Sequence, residues 1–191
     1  QARHGMFAAG LVPHELWAVA ERAKREGSPL GATPKVLKDR IEWLADDFDV
    51  DIPLDKPRAD VVCTLSSIEI MKYPDSIVAI AKIMNHLGVD WTLRSDGYEA
   101  TNFGLLSGNA AWQQELTLKL IKAAVAAGAK ALILPECGHA YGALRWQGAN
   151  VYGQPLPFEV LHISEFLSAQ VRSGKLKLKK LNVLGSVLYV A

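Results

Sequence analysis

Hydrophobic positions recur at helical spacing through the first fifty residues, then give way to short apolar runs separated by helical stretches. In the first part, Pro13 stands at a first helical position, and Leu16, Val19, Ala20 and Ala23 mark one face up to Gly27. Ser28-Pro29-Leu30-Gly31 is a turn cluster. Thr33 and Pro34 form an N-cap and first-turn pair, after which Val36, Leu37, Ile41 and Leu44 keep the spacing as far as Phe48. Asp49 to Arg58, with Pro53 and Pro57, reads as a linker.

Beyond it, Ala59–Leu65 is a short β-rich run. A helix starts at Pro74-Asp75, continues through Ile77, Ile80, Ile83, Met84 and Leu87, and stops at Gly88. Val89–Leu93 predicts the next strand, residues 94–108 follow no regular spacing, and a long helix runs from about Ala110 to Ala127 before Gly128. Lys130–Leu134 is a continuous apolar run of the buried-strand type. Glu136–Trp146 carries a short helix, Phe158–His162 a strand, Ile163–Arg172 a helix closed by Gly174, and Asn182–Val190 a last strand. Strands alternating with helices predict an α/β fold, a doubly wound, mostly parallel sheet of four or five strands with a helical N-terminal extension. Residues 1–58 are then a helical bridge and linker, and residues 59–191 the α/β module.

Composition narrows the function classes. The chain has 191 residues, half of them hydrophobic, so it is about one domain long and has a sizeable core to bury. Its 21 Lys and Arg against 20 Asp and Glu leave a formal charge of +1, a balance with no electrostatic footprint for nucleic acid. No apolar stretch approaches the roughly 18–20 residues of a membrane-spanning helix, and Arg3 and His4 lead into no signal-peptide core. Two cysteines, Cys63 and Cys137, exclude a disulfide-dense secreted scaffold and point to a reducing compartment. The chain opens without Met and closes on the apolar run Ser186–Ala191, so a piece of a longer subunit is expected.

In an open parallel sheet, ligands bind beyond the carboxyl ends of the strands. Three unusual stretches fall at such ends: Cys63-Thr64-Leu65-Ser66-Ser67, the Gly97–Gly108 loop, and Pro135-Glu136-Cys137-Gly138-His139. Cys63 follows two valines and reads as a small core residue as readily as a functional thiol. Cys137 falls near a helix N-terminus, where backbone N–H groups and the helix dipole favour the thiolate, the form that attacks sulfur and binds metal. His139 suits a base or a ligand, and equally a capping or surface histidine. Glu99 and Asn102 lie in a Gly-flanked loop, where local turn hydrogen bonding is the plainer role. Gly104–Gly108 has neither GxGxxG spacing nor a Lys-Ser/Thr pair, so no phosphate loop is predicted. Cys137 and His139 alone make no zinc site, and Ser66 and Ser67 lack the setting of a nucleophile elbow. The candidate catalytic residues are Cys137, His139 and Glu99.

Pro135-Glu136-Cys137-Gly138-His139-Ala140-Tyr141, followed by Ala143-Leu144-Arg145-Trp146, resembles the cysteine-rich (CCG-domain) module of heterodisulfide-reductase-like iron–sulfur proteins, a family with a branch associated with dissimilatory sulfite reductase. Ser67–Pro74 (SIEIMKYP) and Glu99–Gly108 (EATNFGLLSG) match as well. The leading helices, with Gly27-Ser28-Pro29 and Trp43, look like the bridge that this family places after a ferredoxin-type domain. The resemblance covers nearly all of residues 1–183. It implies an oxidoreductase of sulfur energy metabolism whose cysteine-rich modules carry unusual 4Fe-4S clusters and exchange electrons with a thiol/disulfide substrate. It puts Cys63 and Cys137 at cluster-ligand, hence metal and cofactor, positions. The partners it implies are membrane-bound electron-transfer subunits and a small sulfur-carrier protein or disulfide, at a cytoplasmic location peripheral to the inner membrane. The chain departs from the family where Thr101-Asn102-Phe103-Gly104 stands in the region of a Cys-Cys-Gly element, and where Ala140 stands in place of a second Cys. Two thiolates remain against about four for an ordinary cluster, and the other ligands are expected from a second module after about residue 183.

Three function classes follow: an iron–sulfur redox subunit, a metal-free α/β module whose strand-end loops dock a sulfur-carrier protein or other partner, and a nucleotide-binding domain, ranked last for want of a phosphate loop. On this chain alone both cysteines are expected as free thiols, without iron or a disulfide. To share one cluster, their sulfurs need to lie on one face of the sheet and within about 15 Å.

Overall fold

Val61-Val62-Cys63 has no polar side chain to offer water, and the chain buries all three as the central part of a parallel sheet. The computed structural model describes residues 2–179. Its elements in chain order are α1 (Ala2–Ala8), α2 (His14–Glu26), α3 (Pro34–Phe48), β1 (Val61–Cys63), α4 (Ser67–Lys72), α5 (Pro74–His86), β2 (Trp91–Leu93), α6 (Phe103–Ser107), α7 (Ala110–Ala126), β3 (Ala131–Leu134), α8 (Gly138–Tyr152), β4 (Glu159–His162) and α9 (Ile163–Arg172). The four strands lie in the order β2-β1-β3-β4, every pair parallel.

Strand side chains alternate between faces. Val61 and Cys63 join Trp91, Leu93 and Ile133 on one face, whereas Val62 joins Leu132, Leu134 and Val160 on the other. Both faces are apolar, so both need a cover. On the first, α3, α5 and α9 supply Leu37, Ile41, Leu44, Ile77, Met84 and Phe166. On the second, α7 and α8 supply Leu120, Ile121, Ala124, Ala140 and Leu144. The fold is thus the doubly wound α/β arrangement that the alternation of elements predicts.

The segment before β1 is built into this frame. Residues of α3 share the core of β1, and the stretch after it runs beside β2, with Leu93 N–H donating to Pro53 O at 2.8 Å and Asp55 N–H to Leu93 O at 2.9 Å. Helix α2 packs Ala20 and Ala23 against Trp112 of α7.

The structure adds elements that the pattern does not predict. Helix α1 buries no residue and so has no apolar stripe to announce it. Helices α4 and α6, of six and five residues, are too short for a 3.6-residue period to repeat. Helix α8 runs to Tyr152, past the expected end at Trp146, and Gly148 lets Leu156 pack against its backbone. The strand expected at Asn182–Val190 lies outside the described residues.

Candidate functional site

The chain goes from β1 outward to β2, then returns across β1 to β3, so the winding reverses between β1 and β3. A crevice opens at the carboxyl ends of the two strands that flank such a reversal, and this is where ligands bind in doubly wound sheets. The first half of α4 follows β1 here, and Pro135, Glu136 and Cys137 follow β3.

The loops after β1 and β2 are joined into one body. Leu65 pairs with Glu99 in a parallel bridge, with Leu65 N–H donating to Tyr98 O at 2.9 Å and Ala100 N–H to Leu65 O at 2.7 Å. The Glu99 carboxylate accepts Ser67 N–H at 3.1 Å and Thr101 N–H at 2.9 Å. Burial pushes the Glu99 carboxyl up and outweighs these donors, which pull it down. Asn102 caps α6 by accepting Leu105 N–H at 3.0 Å, and its amide donates to Gln113 O and Thr117 Oγ1 of α7, both at 3.2 Å. The turn role expected of Glu99 and Asn102 is therefore filled, and these hydrogen bonds also tie strand-end loops to each other and to α7.

Cys137 caps α8, its sulfur accepting Ala140 N–H at 3.5 Å. Burial pushes the thiol up, as does Glu136, while the backbone amides of Ala140, His139 and Asn102 favour the thiolate. The structure thus brings Cys137 to the loop that begins at Glu99. His139, by contrast, is exposed, and its ring makes no hydrogen bond among the described residues. Cys63 is fully buried in the core of the opposite face, where burial raises its thiol far above the usual range and Glu69 adds to the effect. Both thiols are free.

Sequence reasoning passed over Glu69, although Ser66-x-x-Glu69 has the spacing of a capping box. The structure forms that box: Glu69 N–H donates to Ser66 Oγ at 3.4 Å, and Glu69 Oε2 accepts Ser66 N–H at 2.8 Å. Burial, joined by Glu136, holds the Glu69 acid at about 7 against the hydrogen bonds from Ser66 and Ser76. Also missed was a group at the end of β4, where the Tyr141 ring meets His162 edge-on at 5.7 Å and its hydroxyl donates to Glu165 at 2.9 Å. A cavity of about 400 Å³ opens beside Glu69 and Glu136. A separate aromatic one, by Phe7 and Trp17, lies among the N-terminal helices and away from the strand ends.

Comparison with known proteins finds similarity to the D subunit of the dihydromethanophenazine:CoB--CoM heterodisulfide reductase of three Methanosarcina species. Identity is 24% over 146 residues for M. acetivorans, covering 75% of this chain and 34% of the relative. It is 27% over 154 residues for M. mazei (76% and 35%), and 24% over 196 residues for M. barkeri (90% and 46%). The chain is a distant relative of these heterodisulfide reductase proteins. It spans between about a third and just under half of their length. No family model and no solved structure matches it.

Relationship to a heterodisulfide reductase raises the question of an iron–sulfur cluster, and the donor chemistry answers it for this chain. Among the described residues no group of three or more His, Cys, Asp or Glu side chains converges as metal ligands do. The two thiols belong to cores on opposite faces of the sheet, and an ordinary cluster takes about four thiolates. The described residues do not fit a cluster held by this chain alone. Alkylation checks the placement: under native conditions iodoacetamide should modify Cys137, at the end of a helix, well before Cys63, whose reaction waits for unfolding. Peptide mapping that finds equal rates would contradict it.

Proposed function

We propose that this chain is a module of a heterodisulfide-reductase-like redox subunit, which exchanges electrons with a thiol/disulfide substrate carried by a small molecule or a sulfur-carrier protein. The observation that carries this reading is the likeness to the heterodisulfide reductase relatives over 75–90% of the chain. The geometry supports it, because Cys137 stands at the crevice with backbone amides turned to its sulfur.

A disulfide couple takes up two electrons and two protons. In this reading Cys137 is the sulfur of this chain that meets the substrate sulfur, or that ligates a cluster whose other ligands lie outside the described residues. His139, exposed two residues on, exchanges protons with the departing thiol. Glu99 is a positioning residue, holding the loops that wall the crevice. Cys63 packs the core, and resemblance is the sole ground for a ligand role. The proposed partners are membrane-bound electron-transfer subunits that keep the protein at the cytoplasmic side of the inner membrane. No helix among the described residues is itself long and apolar enough to cross one. Within the family, the stretches Glu99–Gly108 and Pro135–Trp146 favour the K-subunit type of the membrane complex associated with dissimilatory sulfite reductase.

Anaerobic reconstitution with iron and sulfide tests the proposal. The chain alone should take up no stoichiometric iron. The complete subunit should take it up, reduce a disulfide with a dye as electron donor, and lose that activity on Cys137→Ala. A complete subunit without iron or disulfide reduction would leave a metal-free module that docks a sulfur-carrier protein. Iron bound by this chain alone and lost on Cys63→Ala would overturn the assignment of Cys63 to the core.

A further inference from the structure

The near-zero charge of the whole chain hides a segregation of charge along it. All 20 acidic residues stand at or before Glu165, together with 16 of the 21 cations, so residues 1–165 are net negative. From Phe166 onward there is no acidic side chain, and Arg172, Lys175, Lys177, Lys179 and Lys180 follow one another within nine residues. Charge asymmetry of this kind points to an anionic partner. Arg172, Lys175, Lys177 and Lys179 are all exposed, in the last turn of α9 and the stretch that follows it.

The fold itself uses only the first of these cations. Arg172 complements the dipole at the end of α9 and donates to Ser168 Oγ at 2.8 Å, whereas the lysines lie past the helix. None of the ion pairs among the described residues includes any of the four. Leucines alternate with the lysines as Lys175-Leu176-Lys177-Leu178-Lys179, and Leu178 is 72% exposed. Val171, in the last turn of α9, is exposed as well. Apolar side chains set among unpaired cations match a surface with negative charge outside and hydrocarbon beneath, which is the make-up of a lipid headgroup layer. Helix α9 starts at the carboxyl end of β4 and packs Phe166 on the sheet. Its ten residues, about 15 Å long, carry the chain away from the strand ends, so the cations lie far from the crevice.

We propose that the segment from Arg172 to Lys179 binds directly to an anionic phospholipid surface, with the lysine ammonium groups among the headgroups, Leu178 in the acyl boundary, and the crevice turned away from the bilayer. Three of the four cations are lysines. A point charge on a flexible stem suits mobile phosphate groups, whereas a phosphate in a fixed place calls for the arginine fork. Nucleic acid is the poorer match, because no aromatic side chain able to stack on a base falls between Phe166 and Tyr189. The leucines would also face a polar phosphate backbone there. The net-negative remainder of the chain is repelled by the same surface, so the molecule meets it with this segment foremost. This contact does not depend on the redox chemistry above, and it needs no partner subunit.

The test is co-sedimentation of the chain with vesicles of phosphatidylcholine alone and of phosphatidylcholine with about one-third phosphatidylglycerol, at about 0.1 M salt. Binding to the anionic vesicles should be tighter by about tenfold or more. A lysine near such a surface is worth about fivefold, so Lys175→Gln, Lys177→Gln and Lys179→Gln together should weaken this binding about 100-fold. Leu178→Ser keeps every charge and should weaken it severalfold. All four positions are exposed, so both variants should keep the parent's urea midpoint. The proposal is overturned by equal binding to the two kinds of vesicle, by binding to neither, or by anionic-vesicle binding that survives the triple replacement. Single-stranded DNA bound as tightly as the anionic vesicles, with Leu178→Ser changing neither affinity, would overturn the assignment to lipid.

Discussion

Glu69→Gln should keep a nearly level stability between pH 5 and pH 8, a range in which the unmodified chain grows steadily less stable. Burial raises the Glu69 acid from an ordinary 4.5 to about 7, so the folded state holds this proton more tightly than the unfolded chain does. The stabilisation is fully present below about pH 4.5 and is lost as pH rises through about 7. The size is on the order of 3 kcal/mol, from about 1.4 kcal/mol for each tenfold change in proton affinity. Gln removes the charge while still accepting the Ser66 N–H, so the variant should overtake the unmodified chain above neutrality. A residual slope is expected from Glu99, which burial also raises. Asp55 and Glu165 are held low instead and act only at more acid pH. Urea midpoints measured at intervals across this range decide the matter, and parallel curves for the two proteins would refute the prediction.

Gly104→Ala should be the most damaging of the conservative changes in the strand-end loops. A Cβ at this position would lie 2.2 Å from the backbone nitrogen of Gln113 and 2.6 Å from the Trp112 carbonyl carbon. Both belong to the backbone of α7, so no side-chain rotation relieves the clash, and α6 must move away from α7. The expected cost is about 3 kcal/mol, a fall in Tm of roughly 6–12 °C for a chain of this size. The movement would also break the Asn102 hydrogen bonds to Gln113 and Thr117, and with them the loop beside Cys137. Gly142→Ala is the control. Nothing lies within 4 Å of its added Cβ, and alanine in a helix interior is worth about 0.5–1 kcal/mol over glycine. A Gly104→Ala protein as stable as the parent would mean that α6 and α7 are not packed as described.

The order of strands and long helices can be read from the chain because each depends on local pattern. Val61-Val62-Cys63 and Ala131–Leu134 are unbroken apolar runs, and Gly88, Gly128 and Gly174 take up positive φ at or just after helix ends. The candidate site is less local. Cys63 shares the parity of Val61, which places it on one face of the sheet, but the face reached by Cys137 depends on how the Pro135–Cys137 turn leaves β3. Glu69 stands in a stretch whose resemblance to a known family is plain, yet nothing in that stretch says that α5 and the turn after β3 will bury it. Likewise, the partner of Glu99 is an amide 32 residues earlier in sequence, a distance at which neither periodicity nor turn chemistry makes a prediction.

In many doubly wound folds the amides at the first strand-to-helix turn hold a phosphate. Here Ser66 N–H and Ser67 N–H already donate to the carboxylates of Glu69 and Glu99. The molecule therefore carries its own anions where a nucleotide would bring one, and Glu136 adds a third acidic side chain at the cavity mouth. A phosphate approaching this edge meets repulsion as well as amides that are already engaged, whereas an uncharged disulfide or a cation meets neither. The edge sorts visitors by the sign of their charge before any contact is made.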